Sequence, residues 1–341
     1  MSPIELAALI IGIALVFDFI NGFHDAANSV ATIVATRVLT PFQAVVWAAF
    51  FNFVAAFTFG TKVANTVGQG FVDLSLVTPY VILAGVMGAI IWDLLTWWLA
   101  LPTSSSHALI GGYAGAALAR VGLNRGLEHS FQALTSGGWS LTLAFIFLAP
   151  LIGMVVAYAL MVVVYWLFRR SSPSRMDFFF RRFQLVSAAA FSLSHGTNDA
   201  QKTIGIITSL LVVSGFQKDF HVQIWVILAA YAAIGLGTLS GGWRIVHTMG
   251  GRLTRLKPRS GFCAETGAAG AVLFATHLGL PVSTTHAIAG AIAGVGSIHR
   301  LKAVRWGIAA NIIWAWILTI PAAAVIAWLS FLVVHLLVPG A

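Results

Sequence analysis

Apolar stretches recur along the chain at roughly 4–20, 43–60, 79–101, 140–168, 185–213, 222–243, 262–280 and 303–337. A helix needs about 20 apolar residues to span a bilayer, so the stretches predict membrane helices, the last being long enough for more than one element. Four polar segments fall between them, at 21–37, 102–119, 194–206 and 281–298. Polar or irregular backbone at membrane depth has to be buried in protein or line a cavity. These segments therefore mark the interior.

The four segments form two pairs. NGFHDAANSVATI (21–33) and SLSHGTNDAQKTIGI (192–206) align with Asp25 on Asp199, and LPTSSSHALIGGYAG (101–115) aligns with LPVSTTHAIAGAIAG (280–294). In the second pair Pro102 matches Pro281, Ser104 to Ser106 match Ser283, Thr284 and Thr285, His107 matches His286, and a small-xxx-small pattern of glycines follows in both copies. Corresponding hydroxyl runs in both halves indicate a tandem duplication: an N-terminal repeat over 1–168, a basic linker over 169–184 and a C-terminal repeat over 185–341.

On a helix, Asp25, Asn28, Ser29 and Thr32 share one face, as do Asp199, Lys202 and Thr203. Ionisable groups inside a membrane usually face a cavity, a partner or a transported ion. The plainer alternative is a structural ion pair between Asp199 and Lys202.

Composition and charge place these motifs. Of 341 residues 59% are hydrophobic and 9% charged, against about 25% charged in soluble domains, so the chain is an all-α polytopic membrane protein. Its start, without a basic region or a small-residue cleavage site, reads as a retained membrane segment rather than a signal peptide. The net charge of +9 does not indicate nucleic acid. Arg169, Arg170, Arg175, Arg181 and Arg182 form one cluster, and Arg244, Arg252, Arg255, Lys257 and Arg259 another. Such clusters set membrane orientation with the positive side cytoplasmic. Both clusters are expected on one face, and the lack of Lys or Arg before Arg37 and of charge over 335–341 predicts both termini outside. That requires an odd number of crossings per half, hence inverted repeats. The 299–305 loop, with Arg300, Lys302 and Arg305, would be inside and its mate at 120–126 outside. Inverted repeats with interrupted helices point to a secondary transporter with a midplane site. The single cysteine, Cys263, excludes an intramolecular disulfide and argues against a thiolate metal cluster.

The hydroxyl runs suit anion capture. Free N–H groups and the dipole at a helix start attract phosphate-like oxygens. Thr103, Ser104, Ser105, Ser106, Ser283, Thr284 and Thr285 add hydroxyls that donate and accept; the alternative for some of them is helix capping. His107 and His286 are candidate proton carriers or hairpin supports, and His24 and His195 candidate proton carriers. The copies differ where Lys202 replaces Asn28 and Gln201 replaces Ala27. An amide oxygen can bind sodium, whereas an ammonium repels it, so Lys202 argues for proton coupling. Asn21, Asn198 and Thr203 complete the candidate coupling set with Asp25, Asn28, Ser29, Asp199 and Lys202. Asp25 and Asn28 would be metal ligands only under sodium coupling. Asp93 and Glu265 form a second tier, with Asp18 below them; Asn52 and Asn311 read as interhelical ties.

At GFHDAANSVAT, LPTSSSH, SHGTNDAQKTIG and LPVSTTH the chain resembles the inorganic phosphate transporter family over essentially its whole length, most of all the bacterial low-affinity permeases. The resemblance implies inverted repeats with re-entrant hairpins and a polar broken-helix motif in each. It also implies an often homodimeric protein in the bacterial inner membrane, with phosphate contacts at 103–106 and 283–285 and essential polar positions at Asp25, Asn28 and Asp199. It implies no cofactor, and symport of phosphate, sometimes as a neutral divalent metal–phosphate, with protons. Two departures from the sodium-coupled branch stand out. Its GxNDxAN pattern here reads GFHDAAN and GTNDAQK, and Asn52 replaces a glutamate. Sodium-coupled phosphate transport and sulfate transport remain alternatives; sulfate cannot donate to Asp25 and Asp199 at neutral pH. An intramembrane hydrolase would need one activated serine with a histidine from a separate element, whereas here the hydroxyls and histidines are neighbours and duplicated.

Overall fold

The computed structural model describes residues 2–58, 60–298, 304–338 and 340. The first half comprises helices α1 (Pro3–Ala35), α2 (Pro41–Val54), α3 (Lys62–Gln69), α4 (Pro79–Trp98), α5 (Ser105–Arg125) and α6 (Ser136–Leu167). The second comprises α7 (Pro173–Val213), α8 (Ile224–Ser240), α9 (Trp243–His247), α10 (Pro258–His277), α11 (Thr284–Ser297) and α12 (Trp306–Leu337). The order therefore runs twice: a long helix, a bent pair, a helical hairpin and a second long helix. Proline opens α1, α2, α4, α7 and α10, where a missing N–H costs nothing. Helices α1, α4, α6 and α12 are long and apolar enough to cross a membrane, and the bent pairs α2–α3 and α8–α9 bring the candidates to six among the described residues.

Three sequence expectations change. The polar motifs lie inside unbroken helices, α1 and α7, because their side chains find partners on neighbouring helices and leave the backbone ladder intact. The breaks come instead in the following bent pairs, the second by 61°. The 303–337 stretch is one helix, α12, with Pro321 inside it. Of the linker expected over 169–184, residues from Pro173 onward are already the first turns of α7. Arg300 and Lys302 of the 299–305 loop lie outside the described residues.

The halves interleave. Hairpin α4–α5 packs on α12 of the other half, and hairpin α10–α11 packs on α6. The duplicated glycines allow this. A Cβ on Gly111 or Gly115 would meet the Ile320 or Ala324 carbonyl oxygen at 2.5 or 2.2 Å, and one on Gly290 or Gly294 the Pro150 or Met154 oxygen at 2.1 or 2.4 Å. Close backbone approach through small residues is how membrane helices gain packing when lipid supplies no hydrophobic drive. Gly22 on α1 meets Ile234 of α8 as Gly196 on α7 meets Asn52 of α2.

The two basic segments touch where Arg259 bridges Asp177 at 3.2 Å. Arg244 departs from its cluster. It donates to the Trp98 carbonyl at 2.9 Å, as Lys62 donates to the His277 carbonyl at 3.1 Å. Each half's short helix thus ties down the end of the other half's first hairpin helix.

Candidate functional site

The N-termini of α5 and α11 converge on the polar stripes of α1 and α7. Ser104 and Ser283 cap these helices, accepting from the backbone N–H of His107 and His286, each at 3.2 Å. Capping holds the first turns in register and turns the following hydroxyls toward the carboxylates.

Ser105 donates to Asp25 Oδ1 at 3.4 Å, and the matching Thr284 donates to Asp199 Oδ2 at 3.1 Å. Across the halves, Asn28 donates to Thr285 at 2.8 Å and to Thr284 at 3.3 Å, while Lys202, at the matching position, donates to Ser106. Lys202 also pairs with Asp199 and donates to the Val282 carbonyl at 2.9 Å. Ser106 donates to Asp199 Oδ1 at 3.3 Å. The ion pair considered from sequence is therefore present, and its ammonium also reaches the opposite hairpin.

The histidines divide into two roles. His24 Nδ1 lies 2.7 Å from Asp25 Oδ1 and its Nε2 3.1 Å from Thr96, which also accepts from Thr103 at 2.9 Å. His195 Nε2 lies 3.1 Å from Asp199 Oδ2, and its Nδ1 3.2 Å from Asn52 Oδ1. His24 therefore orients Asp25, while His195 lies against Asp199 without hydrogen-bond geometry at Nε2. His107 and His286 instead touch each other behind the hydroxyls, edge to face with centroids 4.9 Å apart, and His286 stacks on Trp316 at 3.9 Å. These contacts join the first turns of α5 and α11.

Asn198 ties α7 to α10, donating to Thr276 at 2.7 Å and the Leu280 carbonyl at 3.1 Å. Asn52 donates to Thr238 at 2.9 Å, the interhelical tie expected of it; Asn311 is exposed on α12 and makes no such tie among the described residues. Asp93 is buried beside His24 and Ser105, and neither carboxylate oxygen meets a partner in hydrogen-bond geometry among the described residues. Glu265 sits apart, accepting from Thr32 at 2.6 Å, Gln184 at 2.9 Å and Ser187 at 2.5 Å. Asn21 Oδ1, Ser29 Oγ and Thr203 Oγ1 have no hydrogen-bond partner among the described residues.

None of the sequence-selected site residues exceeds 2% exposure, so the site is sealed. Sequence reasoning missed Thr96 and Thr276, the hydroxyls that receive His24 and Asn198. Each precedes a hairpin proline, but by six residues in one copy and five in the other, so strict alignment of the copies hides the match. Gln201, singled out from sequence only as the counterpart of Ala27, accepts through Oε1 from the Val63 and Ala64 N–H groups that open α3, at 2.9 and 3.3 Å.

Interleaved membrane helices enclosing a sealed, duplicated polar centre define a multi-pass membrane transporter. The sequence pattern described as "Phosphate transporter family" matches residues 21–178 and again 169–327. The chain belongs to that family. It is 54% identical to a probable low-affinity inorganic phosphate transporter of Rhizobium meliloti, with 94% of each chain covered. It is 41% identical to one so named from Bacillus subtilis, covering 97% of this chain and 98% of the other. Among solved structures it matches one described as "The sodium-dependent phosphate transporter" with a TM-score of 0.84, 24% identity and coverage of 98% and 100%. That likeness carries the fold. Like its relatives, the chain is a transport protein and not an enzyme.

Proposed function

We propose that this chain is a symporter that moves inorganic phosphate across the bacterial inner membrane, coupled to protons, by alternating access. The observation that carries this reading is the crossed arrangement of two hairpin N-termini over two carboxylates, with Asn28 and Lys202 exchanged between the halves. Dihydrogen phosphate has O–H groups to donate to Asp25 and Asp199. Its remaining oxygens accept from Asn28, Lys202, the hydroxyls of 105–106 and 284–285, and the free N–H groups of α5 and α11. Ser105, Ser106 and Thr284 release the carboxylates as phosphate arrives. Sulfate accepts but does not donate, and would leave both carboxylates facing an anion. We read the halves as inverted, with both termini outside and the basic end cytoplasmic, supported by the reciprocal packing of each hairpin on the other half. A homodimer is part of the same reading.

A second reading is sodium coupling, favoured by the name of the structural neighbour, with Asp25 and Asn28 as cation ligands. Lys202 weighs against an equivalent site in the second half, where its ammonium already neutralises Asp199. A divalent metal carried as cargo with phosphate has a donor set available: Asp25, His195 and Asp199 bring ligand atoms within 4.8 Å of one another.

Radiolabelled phosphate uptake by Asp25→Asn and Asp199→Asn tests the site. Uptake is expected to vanish at normal membrane expression; unchanged uptake would contradict it.

A further inference from the structure

Asp18, on α1, is fully buried, and neither of its carboxylate oxygens has a hydrogen-bond partner among the described residues. It lies about two turns before Asp25 on the same face of α1. Its polar neighbours are Asn21, one turn on, and Thr203 of α7. Asn21 Oδ1 and Thr203 Oγ1 are also buried and without partners. Asp199 and Lys202 of α7 and Tyr231 of α8 are the charged and titratable groups within its electrostatic reach. Lys202 is already engaged by Asp199, Ser106 and the Val282 carbonyl. Buried polar groups in native proteins are almost always satisfied, and a bare carboxylate at membrane depth is among the costliest exceptions. The Asn21 amide and the Thr203 hydroxyl can each donate or accept, yet neither meets Asp18 in hydrogen-bond geometry.

We propose that Asp18, with Asn21 and Thr203, is the site of the coupling proton. The inference rests on the proton-coupled reading above and assigns it a residue. A proton on either Asp18 oxygen needs one acceptor, and both Asn21 Oδ1 and Thr203 Oγ1 supply one. Thr203 directly follows Lys202 on α7, so the proton site and the phosphate site share a helix turn. The duplicated position of Asp18 is Ser192, which donates to the Ala188 carbonyl at 2.8 Å. The position matching Asn21 is His195, engaged by Asp199 and Asn52. The acid therefore exists in one half alone, giving one such site per chain.

The test uses purified full-length protein in proteoliposomes, with three readouts. These are phosphate accumulation under an imposed pH gradient, exchange of external labelled for internal unlabelled phosphate at equal pH, and proton entry reported by an enclosed pH dye. In Asp18→Asn, a fixed mimic of the protonated acid, accumulation is expected to fall by about tenfold or more, within the usual range of coupling between two ligands. Phosphate-dependent proton entry should vanish while exchange continues, and Asp18→Glu should restore accumulation. If Asp18→Asn does not fold, Thr203→Val provides the same comparison, weakening accumulation more than exchange. Accumulation and proton entry at the unsubstituted level in Asp18→Asn would overturn the assignment. So would equal loss of exchange and accumulation in variants with an unchanged melting temperature. Failure of the unsubstituted protein to accumulate phosphate under any pH gradient would instead overturn the proton-coupled reading, and is seen without any variant.

Discussion

Asn28 and Lys202 occupy matching positions in the two halves, and each donates to the third hydroxyl of the opposite half's matched run, Asn28 to Thr285 and Lys202 to Ser106. The crossing means that neither half builds a complete site. It also means that the substitution of amine for amide falls at the point where the halves meet. One copy keeps a neutral donor, while the other carries its own cation beside Asp199.

Breaking that ion pair from one side should be costly. Lys202→Met leaves Asp199 buried and short of its main partner, and is expected to destabilise the protein by about 3–5 kcal/mol. Replacing both groups, as Asp199→Asn with Lys202→Met, should recover most of the lost stability and none of the transport. Thermal unfolding in detergent, paired with uptake, separates the two effects. Equal melting temperatures for single and double variants would contradict the pairing.

The crossed hydroxyls should affect affinity more than folding. Thr285→Val removes the nearer of two acceptors of Asn28 while keeping the side-chain shape, and Ser106→Ala removes the cross-half hydroxyl acceptor of Lys202. Each is expected to raise the KM for phosphate by up to about tenfold, the equivalent of a net hydrogen bond of about 0.5–1.5 kcal/mol. An unchanged KM in both would place phosphate elsewhere.

The glycine seams should tolerate nothing larger. A Cβ at Gly290 would meet the Pro150 carbonyl oxygen at 2.1 Å, and one at Gly111 the Ile320 oxygen at 2.5 Å. Because backbone is the obstacle, Gly290→Val should force α11 away from α6 and cost at least the roughly 1–3 kcal/mol of ordinary overpacking. Gly270, with nothing within 4 Å of its added Cβ, is the matched control, and Gly270→Ala should leave the melting temperature within about a degree, as surface changes usually do.

Glu265 makes a different prediction. It is held by three neutral donors, Thr32, Gln184 and Ser187, so Glu265→Ala strands Thr32 and Gln184, while Ser187 keeps the Gln184 carbonyl at 3.2 Å. The loss expected is about 1–3 kcal/mol for each donor left buried without a partner. Glu265→Gln, which keeps one acceptor oxygen, should lose much less. Equal losses in the thermal melt would show that the donors find other partners.

Much of this was legible in the sequence because the duplication supplied an internal comparison. Asp25 with Asp199, Ser105 with Thr284, and Gly111 with Gly290 are paired by alignment, and the structure places each pair in matching surroundings. Continuity of the polar helices was not legible. Hydropathy registers the polarity of a segment but not the partners that make polarity compatible with an unbroken helix, such as Thr96 for His24. The crossing was hidden for a related reason, since alignment pairs Asn28 with Lys202 but says nothing of which hairpin each one reaches. Arg244 looked like a loop charge by its neighbours in sequence, yet its counterpart is Lys62, and both grip a helix end in the opposite half.

In the proposed function Lys202 occupies the second half's cation position and leaves protons to drive phosphate entry. Radiolabelled phosphate uptake into proteoliposomes tests it most directly, under an imposed pH gradient or an imposed sodium gradient, each with and without Mg²⁺. The account predicts accumulation with the pH gradient in sodium-free buffer and none from the sodium gradient alone. Accumulation that requires sodium would contradict it and return Asp25 and Asn28 to the role of a metal-ion site.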